Sequence, residues 1–384
     1  MEESYSEITA FIRKAFKQPE AFIPLHAPYF GGNEKKYVLD TIESTFVSSV
    51  GAYVTRFEEM MQEITGAKYA VATMNGTTAL HLALLVAGVK HGDAVLTQPL
   101  TFAATANAIA HAGATPVFVD VDRNTLGLSP VALKEWLREN TIIKDDACII
   151  KTTGQRVAAC LPMHTFGFPL RIEDLIAVCN SFSIPVVEDA AESLGSYVGK
   201  RHTGNFGLLS IFSFNGNKTV TSGGGGAIVT NDEKLGKLAK HLSTTAKVSH
   251  PYEFKHDQVG YNYRMPNINA ALACAQLEQL DYFINNKREL AELYAGFFKN
   301  RKESFVTEQP GTTANYWLNT ILFSNREEQQ SFLKYSNEQK VMTRPIWQLM
   351  NTLPMYQSCI AGPLNNAEWL EERVVNIPSS YRPS

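Results

Sequence analysis

Apolar residues recur at helical spacing from the start of the chain, where Tyr5, Ile8, Phe11, Ile12 and Phe16 fall on one face. After a Pro- and Gly-rich joint, Pro24–Gly32, Asn33 has the character of an N-cap for a helix carrying Tyr37, Val38 and Ile42. A further helix with Phe57, Met61 and Ile64 is expected to close at Gly66. From Tyr69 the pattern changes to short apolar runs alternating with helical ones. Strands are predicted at Tyr69–Thr73, Ala94–Gln98, Pro116–Val121, Val157–His164, Pro185–Glu188, Leu208–Phe214 and Ala227–Thr230. Helices are predicted from Thr77 towards Gly88, over Thr101–Ala112, after the Ser129-Pro130 cap and around Ile172–Ser181. This alternation predicts an α/β protein with a mainly parallel, doubly wound sheet covered on both faces. The polar stretch Thr141–Gln155 is read as an irregular surface excursion.

Beyond Gly260 one long helical pattern runs from Asn267 towards Phe298. A smaller α+β unit is expected after it, with strand Tyr316–Phe323, helix Glu327–Tyr335, strand Lys340–Thr343 and an extended end from Val374. The chain thus divides into a helical segment over 1–66 expected to pack on both domains, a large domain over 67–265, and a connecting helix with a small domain over 266–384.

Composition narrows the function classes. With 384 residues, 45% hydrophobic, the chain can bury a large core and a second one. A net charge of −3 without a basic block argues against nucleic acid as a partner. Apolar runs such as Leu82–Val86 are too short to cross a bilayer, so no membrane association is expected. Five scattered cysteines without a CxxC, and an acidic, polar N-terminus unlike a signal peptide, predict a cytoplasmic protein with reduced thiols.

Ligands of α/β sheets bind beyond the carboxyl ends of the strands, and three such ends are chemically loaded. Asn75-Gly76-Thr77-Thr78 places amides and hydroxyls at a helix N-terminus, which suits a phosphate and equally an ordinary threonine cap. Val186-Val187-Glu188-Asp189-Ala190-Ala191-Glu192 runs an apolar strand into acids, so Asp189 is expected as a partly buried carboxylate in need of a cation. That cation is either an arginine of the protein or a protonated pyridine nitrogen. Leu208–Gly226 delivers Ser213 and then Lys218 ahead of Gly223–Gly226. Desolvation there would favour a neutral, nucleophilic amine, and the glycines would let backbone pass close to a bound group. Alone, the stretch reads better as a solvated lysine before a flexible loop. Together, a phosphate turn, an acid and a lysine make the set that pyridoxal phosphate requires. Phe102, just past a strand end, could stack on its ring or simply fill the core.

Five blocks carry a family resemblance: Asn75-Gly76-Thr77-Thr78-Ala79-Leu80, Pro99-Leu100-Thr101-Phe102, Glu188-Asp189-Ala190-Ala191-Glu192, Phe212-Ser213-Phe214 with Lys218, and Gly260-Tyr261-Asn262-Tyr263-Arg264-Met265. In this order they resemble motifs of the DegT/DnrJ sugar-nucleotide aminotransferases, from Ile23 to the end of the chain. The resemblance implies fold type I, a mainly parallel seven-stranded sheet sandwiched by helices with a smaller α+β C-terminal domain. It implies pyridoxal 5'-phosphate on Lys218, which also shuttles the proton. Asp189 would pair with the pyridine nitrogen, and Glu192 would stand near the phenolic oxygen. Gly76, Thr77 and Ser213 would hold the phosphate, Phe102 would stack, and Asn262 would reach the phosphate of the neighbouring subunit in a homodimer with shared active sites. Lysine at 218 argues for transamination, since the sister dehydratases carry histidine there. Asn215, where the family commonly has His, and the unbroken Gly223–Gly226, where it has a Glu, depart from the pattern.

Phe46-Val47-Ser48-Ser49-Val50-Gly51, Ser213–Lys218 and Thr343-Arg344-Pro345-Ile346-Trp347 resemble the aminotransferases of legionaminic-acid and bacillosamine-type pathways. The expected reaction is amino transfer from L-glutamate to C4 of a UDP- or GDP-linked 4-keto-6-deoxy-N-acetylhexosamine, for a surface glycan. The rival readings are C3 amino transfer or another pyridoxal phosphate reaction on such a sugar, and a non-catalytic nucleotide-sugar sensor.

Overall fold

The structure, a computed structural model, describes residues 2–382. Seven strands build the main sheet: β1 (Tyr69–Thr73), β2 (Ala94–Thr97), β3 (Thr115–Phe118), β4 (Val157–Leu161), β5 (Val187–Asp189), β6 (Leu209–Ser213) and β7 (Gly226–Thr230). Continuous ladders join β1-β7-β6-β5 and β4-β2-β3, and parallel bridges Cys160–Val186 and Met163–Asp189 join the two halves along the β4 and β5 segments. The spatial order is therefore 1-7-6-5-4-2-3. Only β7 runs against its neighbours, so the sheet is mainly parallel, as the alternating pattern predicts.

Helices cover it on both faces, and their composition reflects where they lie. Helix α4 (Gly76–Val86) is apolar nearly all round because it is buried along its length. It follows the α1 (Glu2–Ala15), α2 (Glu34–Glu43) and α3 (Ala52–Thr65) helices of the N-terminal segment. Helix α3 closes on Gly66 in the left-handed conformation, and its Phe57 and Met61 pack beneath Phe212 and Phe214. Helix α1 packs in a separate cluster, with Tyr5, Ile8 and Ile12 against Tyr294, Phe332 and Val341.

Four elements differ from the sequence reading, one of them the strand expected at Lys340–Thr343, which lies instead at Arg344–Pro345. Asn33 precedes α2 but makes no side-chain cap; its amide donates to Glu278 instead. The excursion at 141–155 contains a hairpin, Thr141–Lys144 with Ala147–Ile150, turned by Asp145 and Asp146 at positive φ. Its strands are mostly apolar: Cys148 and Ile150 are buried in the core, while Ile142 and Ile143 are exposed on the surface. The long helical pattern is two helices, Asn267–Leu277 and Leu280–Phe298, interrupted at Gln279. Periodicity cannot show such a break, because no proline or glycine marks it. The C-terminal unit holds a four-stranded antiparallel sheet in which Val374–Ile377 pairs with both Asn319–Leu322 and Arg344–Pro345.

Candidate active site

A cavity of about 370 Å³ opens beyond the carboxyl ends of β1, β5 and β6. Gly76, Thr77, Phe102, Asp189, Glu192, Ser213 and Lys218 all line it. Larger cavities, of about 960, 600, 570 and 530 Å³, open elsewhere, and among the described residues the one of 570 Å³ alone is lined by a lysine, Lys200, with no phosphate turn beside it.

The β1–α4 turn forms one end. Asn75, not a threonine, caps the helix: its side chain accepts from the Thr78 amide at 2.8 Å. The amides of the first turn and the positive end of a buried helix thus face the cavity. A Cβ on Gly76 would come within 2.9 Å of the Ser213 side chain, so only glycine lets the turn and the β6 end meet. The glycine run works behind this turn rather than along the cavity. A Cβ on Gly226 would lie 2.5 Å from the Asn75 carbonyl oxygen, so the bare backbone of β7 lets the capping residue sit where it does.

Strand alternation separates the two acids of β5. Glu188 points away from the cavity and is saturated: it accepts from His164, Ser210 and the amides of Gly204, Phe206 and Gly207. Burial alone would raise its carboxyl, but the His164 ring and these amides bring it below the ordinary value. Asp189 points into the cavity. It is 2% exposed, and accepts from the Thr105 hydroxyl at 2.8 Å and the Ala191 amide at 3.2 Å. Among the described residues no Arg, Lys or His is within ion-pairing distance of it. Burial raises its carboxyl, the effect to be expected of a desolvated acid lacking a cation.

Lys218 enters opposite. Its Nζ lies 3.1 Å from Glu192 Oε1 and 4.0 Å from the centre of the Trp317 ring. The amine expected to be bare therefore meets a carboxylate and an indole face, the partners of a cation. Glu192 is buried, and its other oxygen accepts from the Phe166 amide. Burial pushes its carboxyl up to about 7 despite the adjacent lysine. Phe102 is 53% exposed and stands edge-on to Trp347 at 6.3 Å, so it is not a core aromatic. Asn262 lies outside the cavity of its own chain; it is exposed and accepts from Arg264 Nε at 3.0 Å.

Sequence reasoning missed Thr105, Trp317, Trp347 and Lys287. Thr105 and Trp317 sit in stretches with no signature of their own, and Trp347 belongs to a block read for its resemblance and not for the cavity it lines. Lys287 is a fully buried amine whose Nζ donates to the carbonyls of Trp317 and Ser379, fixing the indole that covers Lys218. Burial lowers its pKa from the ordinary 10.5 to about 7. Between those values the unfolded chain binds a proton that the folded protein does not, so folding stability rises with pH across that window. Urea midpoints of wild type should therefore gain on those of Lys287→Met from pH 7 to pH 10. A constant difference between the two would show that the amine does not titrate in this way.

A lysine, an uncompensated buried acid and a helix N-terminus, converging at the carboxyl end of a mainly parallel sheet, define a pyridoxal-phosphate-dependent aminotransferase. The family model of the DegT/DnrJ/EryC1/StrS aminotransferases matches residues 28–382, and the chain belongs to that family. It is 37% identical over 362 residues to GDP-perosamine synthase of Escherichia coli O157:H7, covering 93% of each chain. With EpsN of Bacillus subtilis, named a putative pyridoxal phosphate-dependent aminotransferase, it shares 34% identity over 88% of this chain and 84% of that one. Among solved structures, the aminotransferase TlmJ from Streptoalloteichus hindustanus superposes with a TM-score of 0.85 at 24% identity, over 95% of each chain. Helicobacter pylori PseC superposes at 0.83 and 23% identity, over 93% of this chain and 94% of that one. The protein is an aminotransferase acting on sugar nucleotides. No helix among the described residues is long and apolar enough to cross a membrane.

Proposed function

We propose that this enzyme transfers the amino group of L-glutamate to C4 of a nucleotide-linked 4-keto-6-deoxyhexose, in the cytoplasm, for a surface glycan. The observation that carries the reading is Asp189, a buried carboxylate without a cationic partner among the described residues, in the same cavity as Lys218. The named relatives support C4 as the position, since GDP-perosamine synthases aminate C4, and support GDP over UDP. The motif resemblance instead suggests an N-acetylated sugar of the legionaminic-acid or bacillosamine type. Turnover of a panel of GDP- and UDP-linked 4-ketosugars, N-acetylated and not, with glutamate as donor, separates these substrates. Consumption of none of them would refute the reading.

The residues present fit pyridoxal phosphate. When bound, it supplies a carbonyl that condenses with primary amines and a ring that accepts electrons released beside it. Lys218 would hold it and then move the proton between the two carbons that exchange it. Asp189 would keep the ring nitrogen protonated, and in doing so gain the cation its burial demands. Gly76, Thr77 and Ser213 would take the phosphate at the positive end of α4, and Phe102 would cover one ring face. Glu192, poised near neutrality, can take the ammonium proton from Lys218 and so free the amine for attack.

The working unit in this reading is a homodimer. Phe46, Val47 and Val50 are exposed beside Asn267, and Tyr252, Phe254 and Val259 are exposed in the segment leading to Asn262. Side chains of this kind await a protein surface. A second copy would cover them and bring its Asn262 to the phosphate. Mixing Lys218→Ala with Asn262→Ala subunits tests this. One site of each mixed dimer would carry both lesions and the other neither, so activity should return to about a quarter to a half of wild type. No gain after verified subunit exchange would show that Asn262 serves only its own loop.

A further inference from the structure

A second cavity, of about 530 Å³, adjoins the first across a wall formed by Asn217, Trp317 and Trp347. Its size is that of a pocket for a small molecule. One side is His26, held in an extended segment that is fixed on both flanks. Ile23 exchanges backbone hydrogen bonds with Lys340 and Met342; the Leu25 carbonyl accepts from Ser379, and the Ala27 amide donates to the Ser380 hydroxyl. The ring has no such partners. Both Nδ1 and Nε2 are buried without a hydrogen bond, an arrangement that costs stability unless something else completes it.

What would complete it follows from the ring's state. Burial, reinforced by the ammonium groups of Lys287 and Lys218, lowers the pKa of His26 well below the ordinary 6.5, so the imidazole is neutral. A neutral imidazole offers one N–H donor and one acceptor nitrogen. A carboxylate or phosphate, which only accepts, satisfies half of that pair; a hydroxyl, which donates and accepts, satisfies either nitrogen. The lining agrees, because Trp317 and Trp347 both border the cavity and indoles suit the C–H faces of a sugar ring. Arg344, exposed at the cavity, suits the anionic remainder of a nucleotide sugar.

We propose that His26 is a specificity-determining residue that recognises a hydroxyl of the hexose, and that this second cavity seats the sugar beside Lys218. The assignment rests on the ketosugar reading above. His26→Phe removes both nitrogens while keeping a planar ring, and His26→Gln keeps a donor and an acceptor. The two half-reactions are read separately, with glutamate through the absorbance change of the bound cofactor and with the ketosugar that wild type consumes. Binding of GDP-mannose and of GDP to cofactor-free enzyme is measured by calorimetry.

His26→Phe is expected to lose about 10- to 100-fold in the sugar half-reaction and a similar factor for GDP-mannose over GDP. The glutamate half-reaction and GDP affinity should stay within about twofold of wild type, and His26→Gln should recover most of the loss. Unchanged sugar kinetics and binding in His26→Phe overturn the assignment alone. An equal loss in the glutamate half-reaction also overturns it, and marks the cavity as the seat of the amino donor. Wild type consuming none of the ketosugars refutes the underlying reading and this assignment with it.

Discussion

Lys218→Ala should fold, keep its circular dichroism and thermal midpoint close to wild type, and lose turnover by about 10⁴-fold or more. The loss is large because one amine does two jobs, holding the cofactor and moving the proton. The described residues bring no other lysine to this cavity. The fold should survive because Lys218 is a loop residue at a cavity wall, and its Glu192 partner keeps the Phe166 amide. Glu192 also titrates near neutrality, so without the ammonium it can take up a proton instead of remaining a stranded charge. Absorbance of the purified variant, steady-state turnover and thermal melts check these outcomes together. Turnover within tenfold of wild type would remove Lys218 from the chemistry.

Asp189→Asn should retain cofactor binding at the α4 N-terminus and slow the proton-transfer step by about 10²- to 10³-fold, the scale for removing one preorganised charge from a reacting centre. The substitution is isosteric: the amide oxygen can keep the Ala191 amide and the NH2 can donate to the Thr105 hydroxyl, which can turn to donate to Thr101, so the packing should hold. The amide removes the anion that keeps the ring nitrogen protonated. It also relieves the cost of burying an uncompensated carboxylate, so the cofactor-free variant should melt at or above the wild-type temperature. Single-turnover absorbance and melting of the cofactor-free protein read the two effects independently. Equal single-turnover rates would reduce Asp189 to a structural acid, and a lower melting temperature would point to a cation partner within the protein.

Much of this was legible in the sequence for a simple reason. The strands of a mainly parallel sheet are short apolar runs ended by polar residues, so β5, β6 and the β1–α4 turn declare both their element and their chemistry at one point. Alternation along β5 also sends its two adjacent acids to opposite faces, although Val187, Glu188 and Asp189 are all buried and burial does not tell them apart. Residues without a local pattern stayed hidden. Thr105 sits on a helix turn like any other, and Trp317 reads as the core aromatic it partly is. Lys287 looks like a surface lysine in an amphipathic helix, yet it is 1% exposed. Its two carbonyl acceptors come from residues 30 and 92 positions further along, a distance over which no periodicity speaks. The glycine run was read for its freedom near a ligand, whereas its effect is on packing against the Asn75 carbonyl one strand away.

The position of β1 bears on how the protein comes to be made. The first strand of the sheet to emerge pairs only with the last, β7, through a register that sets Thr73 opposite Gly226. Closing that pairing spans roughly 150 residues of chain, an entropic cost that grows with the logarithm of loop length. A nascent polypeptide can lay down β2 to β6 by parallel crossovers while β1 and the turn behind it wait without a partner. The phosphate-facing end of the cavity is then the last part of the sheet to take shape. It arrives only after the segment bearing Lys218 has left the ribosome, so a chain stalled before Gly226 carries the lysine but has no seat for what the lysine is to hold.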